Sequence, residues 1–218
     1  MNSKIQLSDT EKTAARLGFS FSLITAILTV LTFGMAITTP PLSGPFCPGG
    51  CFQYPYNDIV SRFPRDYFWM YPAILLSFTY LSTMTALYFF TPFGKKIFGL
   101  LGLLFAFFSA MVLSVNYFVQ VSVVQPSLLA GETEGIALLT QFNPHGIFIV
   151  AEEIGFFVMG LSFFCFIPVF SRQTRLEKSL GRFFFAGFLA ILIAFTAVSL
   201  KFGICREYRF EVAVITIS

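Results

Sequence analysis

Five long apolar stretches dominate the chain, and they limit its possible folds more than any other feature. A helix rises about 1.5 Å per residue, so about 20 apolar residues cross roughly 30 Å of hydrocarbon. The stretches of this length are residues 17–38, 69–90, 97–118, 147–170 and 183–202. Lipid offers no partner for backbone N–H and C=O groups, and the stretches lack the alternation of a barrel. The sequence therefore predicts an all-α, polytopic transmembrane helix bundle of five spans, forming one integral membrane domain over residues 1–218.

The composition excludes several classes of protein. Of the 218 residues, 56% are hydrophobic and 11% are charged, whereas soluble domains have about 25% charged residues. The net charge of +3 is too small and too dispersed for a nucleic-acid partner. One histidine argues against multi-histidine metal sites and bis-histidine haem. Nucleotide-binding fingerprints are absent as well. We therefore expect the lipid bilayer as a partner, and neither a metal nor a cofactor.

The distribution of basic residues predicts the orientation of the spans, because Lys and Arg collect in cytoplasmic loops. Nine lie on the side of the amino terminus: Lys4, Lys12, Arg16, Lys95, Lys96, Arg172, Arg175, Lys178 and Arg182. Five lie on the other side: Arg62, Arg65, Lys201, Arg206 and Arg209. The amino terminus is therefore predicted to be cytoplasmic, with residues 39–68 and 119–146 as outer loops.

Two further segments need an interpretation. Residues 126–141 begin with a helix-compatible proline and mix leucines with glutamates, which predicts a short interfacial helix. Residues 212–215 are apolar, but the eight residues from Glu211 cannot cross a bilayer. This tail is either an external or interfacial segment or the beginning of a truncated sixth span.

Small residues recur at helical spacing in three of the spans. The stripes are Gly18, Ser22, Thr25, Thr29, Thr32 and Ala36 in the first; Gly102, Ala106, Ser109, Leu113, Asn116 and Gln120 in the third; and Ala186, Ala190, Ala194, Ala197 and Lys201 in the fifth. Small residues let membrane helices approach closely. The stripes therefore predict a compact bundle.

Polar residues converge at the outer ends of these spans. The candidate binding residues are Glu152, Glu153, His145, Asn116, Gln120 and Lys201. We expect Glu152 to face the bundle, to be the more buried acid, and to share a face with His145 if the fourth helix begins early enough. Glu153, the next residue, points about 100° further around the helix axis and is therefore expected to face a neighbouring helix–helix contact.

Placing carboxyl groups inside a membrane costs free energy, so the presence of two adjacent glutamates there requires an explanation. The functional interpretation is that the acids bind an ion or small solute or pass protons. The structural alternative is that Arg62, Arg65 or Lys201 neutralises them and the network only fixes the bundle.

A second chemical signal is Cys47-Pro48-Gly49-Gly50-Cys51 in the first outer loop. The turn and an oxidising exterior favour a disulfide between the cysteines. The pair resembles the first periplasmic pair of the quinone-linked disulfide-generating membrane oxidoreductases, although those use C-x-x-C and have a second pair. Three functions remain open. They are translocation or binding of an ion, proton or small solute, membrane thiol oxidation through Cys47 and Cys51, and a non-catalytic structural or sensing subunit.

Overall fold

The computed structural model describes residues 9–39, 42–170 and 173–217, and its regular elements over these residues are all helical. The helices are α1 (Asp9–Ile37), α2 (Met70–Phe89), α3 (Lys96–Val119), α4 (Gln125–Leu129), α5 (Ile136–Leu139), α6 (Ile147–Phe166), α7 (Arg175–Phe202) and α8 (Arg209–Ile217). Five helices in this part of the chain are long and apolar enough to cross a membrane. The all-helical fold and the five long apolar helices are thus confirmed for the described residues. Lys4 and Arg172, which entered the charge count, lie outside them.

The third long helix extends further than predicted. Residues Gln120–Val124 form a π-helical turn that joins α3 to α4, so helical structure continues to Leu129. The single helix expected over 126–141 is wrong. Gly131 and Gly135 adopt positive φ angles of 79° and 76°, which are favourable for glycine and interrupt a right-handed helix. The segment is therefore divided between α4 and the short α5.

The five long helices form an open arc in which α1 packs on α2, α2 on α3, α3 on α6, and α6 on α7. The most extensive helix–helix contact is the α3–α6 seam. There Ser109 Oγ donates to the Gly155 carbonyl at 2.8 Å, and Ser162 Oγ donates to the Gly102 carbonyl at 2.7 Å. A Cβ atom at Gly102 would lie 2.6 Å from the ring of Phe166. The whole predicted stripe of the third span is buried, which confirms its role in helix packing.

The stripes of the first and fifth spans behave differently. In α1 only Thr32 of the stripe is buried, and in α7 only Ala194 is buried. The two helices are at opposite ends of the arc, since α1 packs on α2 and α7 packs on α6. Part of the α1 stripe packs on α2, since Thr25 Oγ1 lies 3.3 Å from Thr83 Oγ1 and a Cβ atom at Gly18 would lie 3.0 Å from Ala86 Cβ. The other stripe positions of α1 and α7 are half-buried or exposed.

The tail after α7 turns back into the molecule. Helix α8 has nine residues, so it is about 13 Å long and too short to span a bilayer. It packs against α6 and α7, with Phe210 and Val214 buried. Residues 209–217 therefore form a short helix packed on the bundle, and both interpretations of this tail, an external or interfacial segment and the beginning of a sixth span, stay predictions.

The loops at the outer end are joined by hydrogen bonds. Ser43 Oγ donates to the Phe142 carbonyl, and Tyr208 Oη donates to the Gln141 carbonyl at 2.9 Å. Gln141 Nε2 donates in turn to the Asp66 carbonyl at 3.2 Å. We call this connection of the two outer loops and the α7–α8 turn the outer cap.

Candidate functional site

The two adjacent glutamates of α6 have different partners. The Tyr117 hydroxyl of α3 donates to Glu152 Oε1 at 2.9 Å. Glu153 accepts two hydrogen bonds from the Arg206 guanidinium, from Nε at 2.7 Å and from Nη2 at 2.6 Å. The expectation that Glu152 is the more buried acid is wrong, because each residue is 7% exposed.

Arg206, in the α7–α8 turn, is the counter-charge of Glu153. The sequence suggested Arg62, Arg65 or Lys201 for this role. Arg62 pairs instead with Asp66 at 2.7 Å, and Lys201 is exposed, with its ammonium 5.3 Å from the Phe202 ring centroid. The hydrogen bonds with Glu153 raise the pKa of Arg206, so the guanidinium is charged at neutral pH.

His145 does not join the glutamates. Helix α6 begins at Ile147, and the preceding turn is held by a hydrogen bond from the His145 amide to Asn143 Oδ1 at 2.9 Å. The imidazole Nε2 lies 3.6 Å from Glu207 Oε1 and is largely exposed. The shared face with Glu152 that an earlier helix start would give is therefore absent, because the Asn143 side chain fixes a turn there.

Asn116 and Gln120 are buried and fix the backbone. Asn116 Nδ2 donates to the Phe148 carbonyl at 3.0 Å, which ties α3 to α6. Gln120 Nε2 donates to the Leu139 carbonyl at 2.6 Å, and its Oε1 accepts from the Gln141 amide at 2.9 Å. The structure thus separates the six predicted residues, and only Glu152 faces the space described next.

A cavity of about 990 Å³ lies between α1 and α7. We call it the central cavity. Thr25, Thr29 and Thr32 of α1 line one wall, and Ala186 and Ala190 of α7 line the opposite wall. The small stripes of the first and fifth spans therefore border open space, where a compact bundle was expected. The polar end of the cavity is formed by Glu152, Tyr117, Gln141, Tyr208 and Glu211.

Glu211 of α8 is a functional candidate that sequence reasoning missed. It is 4% exposed, and neither carboxyl oxygen has a hydrogen-bond partner within the described part of the chain. Burial, with a further contribution from the charge of Glu152, raises the pKa of Glu211 from its ordinary 4.5 to about 9. The available signal was that Glu211 directly precedes the apolar run of residues 212–215.

Three aromatic rings surround this end of the central cavity. Trp69 packs edge-on against Tyr117 with centroids 5.2 Å apart and against Phe148 at 6.5 Å. Tyr117 and Phe148 are 6.0 Å apart. All three rings line the cavity, and we call them the aromatic cluster. Faces of such rings attract cations, and the effect is stronger away from water.

The cysteine pair of the first outer loop is within disulfide-bonding distance, and the Cα atoms of Cys47 and Cys51 are 5.9 Å apart. Neither residue lines the central cavity. Cys165 in α6 and Cys205 after α7 are free thiols. The predicted disulfide therefore fits the structure, and it does not belong to the acidic site.

Comparisons of the chain with models of known protein families, with curated proteins and with solved structures found no match. The chemistry of the site therefore rests on its own geometry. That geometry is an apolar space between two membrane-length helices, with two buried carboxyls and three aromatic rings at one end.

Proposed function

We propose that the protein is a multi-pass membrane protein that binds a cation at the acidic end of the central cavity and exchanges it for a proton. The observation that carries this proposal is the carboxyl of Glu211, which is buried, lines the cavity and lacks a polar partner within residues 9–39, 42–170 and 173–217. A buried carboxyl is stable either protonated or beside a positive charge. The cavity gives such a charge room to enter.

The difference between Glu153 and the other two acids supports this proposal. It is as buried as Glu152, but the Arg206 guanidinium pairs with it. Glu152 has only the Tyr117 hydroxyl as a hydrogen-bond partner among the described residues, and that group carries no charge. Two of the three acids at this end thus remain without a basic partner, and both line the cavity.

The raised pKa of Glu211 supplies the exchange. At pH 7 this carboxyl carries a proton, because the pH is below its pKa of about 9. A cation bound at the cavity favours the ionised carboxylate, so the proton leaves as the cation enters. If the cation binds from one side of a membrane and leaves on the other, with the proton moving in the opposite sense, the result is cation–proton exchange.

The test is proton release by the purified protein in nanodiscs, in weakly buffered solution with a pH-sensitive dye. Tetramethylammonium, sodium and potassium chlorides serve as probes. We expect one of these cations to release close to one proton per chain in a saturable manner. Glu211→Gln should abolish the release, and Glu152→Gln should weaken cation binding, since each variant keeps the side chain's shape and removes its charge.

Glu207→Gln is the matched control, because Glu207 lies outside the central cavity, beside Arg209 and His145. It should leave proton release unchanged. If no probe releases protons, or if the double variant of Glu152 and Glu211 releases as many as the wild type, the proposal is wrong. A large loss of melting temperature in Glu152→Gln, with no cation effect in the wild type, would assign the acids a structural role.

For the orientation we propose a cytoplasmic amino terminus, supported by the nine-to-five division of basic residues. Single cysteines at Ser61 and Gln173, in a variant with Cys165 and Cys205 replaced by serine, test this. An impermeant thiol reagent should label position 61 in intact cells and position 173 only after lysis. Labelling of position 173 alone in intact cells would reverse the assignment.

A further inference from the structure

We infer that the cation is the head group of a single-tailed ammonium amphiphile, which enters the central cavity sideways from the bilayer between α1 and α7. This inference rests on the proposed function and adds the class of ligand and its route. Three features of the structure support it: the outer cap over the acids, the mostly apolar lining, and the aromatic cluster beside the acids.

The outer cap lies over the acids, which are 7% and 4% exposed at Glu152 and Glu211. Tyr208 bridges the two outer loops, since its hydroxyl bonds both Ser43 Oγ at 2.7 Å and the Gln141 carbonyl at 2.9 Å. Gly44 lies directly against the Tyr208 ring, and a Cβ atom there would be 2.8 Å from Cε2. Gly44 has a φ of +65°, which glycine adopts without steric cost. The loop backbone can therefore approach the ring and cover the acids.

One side of the cavity lies between α1 and α7. These helices pack on α2 and α6 respectively, at the two ends of the arc. Thr25 and Ile37 both line the cavity, and they are twelve residues apart, or about 18 Å along the helix. The cavity is thus long and runs parallel to membrane-length helices, which suits an extended tail.

The lining of the cavity is mostly apolar, with threonine hydroxyls along the α1 wall and acids at one end. Phe33, Ile37, Phe156, Met159 and Ile191 line the long part, and each of these side chains favours hydrocarbon over water. A small inorganic ion makes no use of this surface. An apolar tail does, and its cationic head then lies beside Glu152 and Glu211.

The aromatic cluster favours an organic ammonium over a metal ion as the head group. Rings of Trp, Tyr and Phe bind quaternary and substituted ammonium ions through their faces. Trp69, Tyr117 and Phe148 line the cavity, and Tyr117 is hydrogen-bonded to Glu152. The carboxyls provide the charge, and the rings provide a weakly hydrated surface for the alkyl groups on nitrogen.

Trp69 provides a direct test, because it is the single tryptophan of the chain and lines the cavity. The protein is placed in nanodiscs of phosphatidylcholine, which has no net charge. Three nitroxide quenchers are added: a dodecyldimethylammonium, a trimethylammonium without a tail, and a dodecanoate. We expect saturable quenching of Trp69 by the long ammonium, at least about tenfold weaker binding without the tail, and no saturable quenching by the carboxylate.

Variants locate the site and the entrance. The double variant Glu152→Gln, Glu211→Gln should weaken binding of the long ammonium at least about tenfold, and Glu207→Gln should not. Ala190→Phe narrows the entrance from α7, and Thr29→Phe does so from α1. Ala197→Phe is the matched control on α7, since Ala197 is exposed and does not line the cavity. Both entrance variants should slow the onset of quenching, while the control should match the wild type.

The outcomes separate this inference from the proposed function. If the tailless ammonium binds as tightly as the long one, the amphiphile inference is wrong and cation exchange stands. If the long ammonium binds equally well to the double variant, and proton release is also absent, both are wrong. Equal quenching by the dodecanoate would indicate an apolar pocket without charge selection, and unchanged kinetics in both folded entrance variants would overturn the lateral route.

Discussion

The α3–α6 seam and the central cavity are built from the same kind of sequence, stripes of small residues at helical spacing, and have opposite structures. At the seam, Ser109 and Ser162 donate hydrogen bonds to backbone carbonyls of the facing helix, and no room remains for a side chain at Gly102. Around the cavity, the hydroxyl of Thr29 donates to the carbonyl of Thr25 in its own helix. Ala36, at the outer end of the same stripe, lines the cavity and is only half-buried.

The difference shows that a small-residue stripe specifies close approach only when a complementary surface is available. Large side chains of α6 and α3, Phe166 and Leu113, fill the space above Gly102 and Gly155 respectively. The stripes of α1 and α7 belong to helices at opposite ends of the arc. Where no helix faces them, small residues border an open space, and Glu152 and Glu211 line the same space.

The largest expected effect comes from removing the counter-charge of Glu153, the buried acid that has a basic partner. Arg206→Ala leaves Glu153 buried without its counter-charge, which should lower the free energy of unfolding by about 3–5 kcal/mol. We expect the lower part of this range, because the Arg206 side chain is 28% exposed. Chemical unfolding in detergent measures the change. Glu211→Gln should cause no comparable loss, and if it did, the acids of the cavity would be structural like Glu153.

The close packing at the seam can be tested by adding one methyl group. Gly102→Ala places Cβ 2.6 Å from the ring of Phe166, which is fully buried and cannot move aside. Overpacking of this kind costs about 1–3 kcal/mol. Gly34→Ala is the control, because Gly34 is exposed, does not line the cavity and has no atom within 4 Å of an added Cβ. The apparent melting temperature of this control should equal or exceed that of the wild type, and equal behaviour of the two variants would contradict the close packing at the seam.

The third prediction is a pH dependence that originates in the cavity. The pKa of Glu211 is raised to about 9 in the folded protein, so the folded state binds more protons than the unfolded state above pH 4.5 or so. Stability should therefore fall as pH rises from about 4.5 to about 9, because the unfolded state loses this proton at the lower pH and the folded state only at the higher. The groups that affect this carboxyl are Glu152, Glu153, Arg206, Tyr117 and Tyr208.

Melting temperatures measured across this pH range check the prediction. Glu211→Gln should flatten the slope, and Glu207→Gln should not. Addition of the long ammonium should also reduce the slope, because a bound cation stabilises the ionised carboxylate. An unchanged slope in Glu211→Gln would assign the titration to another group.

The smallest expected effect concerns single hydroxyls. Ser109→Ala removes a hydrogen bond between α3 and α6 and should cost about 0.6 kcal/mol, the average for such bonds between membrane helices. Thr29→Val removes a hydroxyl that bonds within its own helix and keeps the side-chain volume. It should have a smaller effect on unfolding in detergent. A larger cost for Thr29→Val would indicate a helix–helix contact at the cavity.

Local sequence patterns predicted the features that depend on neighbouring residues along the chain. Apolar length gave the five long helices, and helical spacing placed Gly102 and Ser109 on a buried face. The proximity of Cys47 and Cys51 also follows from a short turn. Each of these depends on residues close in sequence, where backbone geometry alone limits the arrangement.

Features that depend on the packing of distant segments could not be predicted. The partner of Glu153 is Arg206, which is 53 residues away and was one of several basic residues at the same end. Glu211 reaches the cavity only because α8 turns back on α6 and α7, and an apolar run of this length is compatible with several arrangements. The start of α6 after His145 depends on the Asn143 side chain, a contact that helical spacing does not encode.

The return of α8 toward α6 has a consequence for how the protein is made. Helix α8 follows all five long helices in the chain, so Glu211 arrives after they have been synthesised. Until then the space between α1 and α7 has one carboxyl, Glu152, and Arg206 has not yet reached Glu153. A chain that has been synthesised only through α7 therefore lacks Arg206 and Glu211, and the acidic end of the central cavity is not yet formed in it.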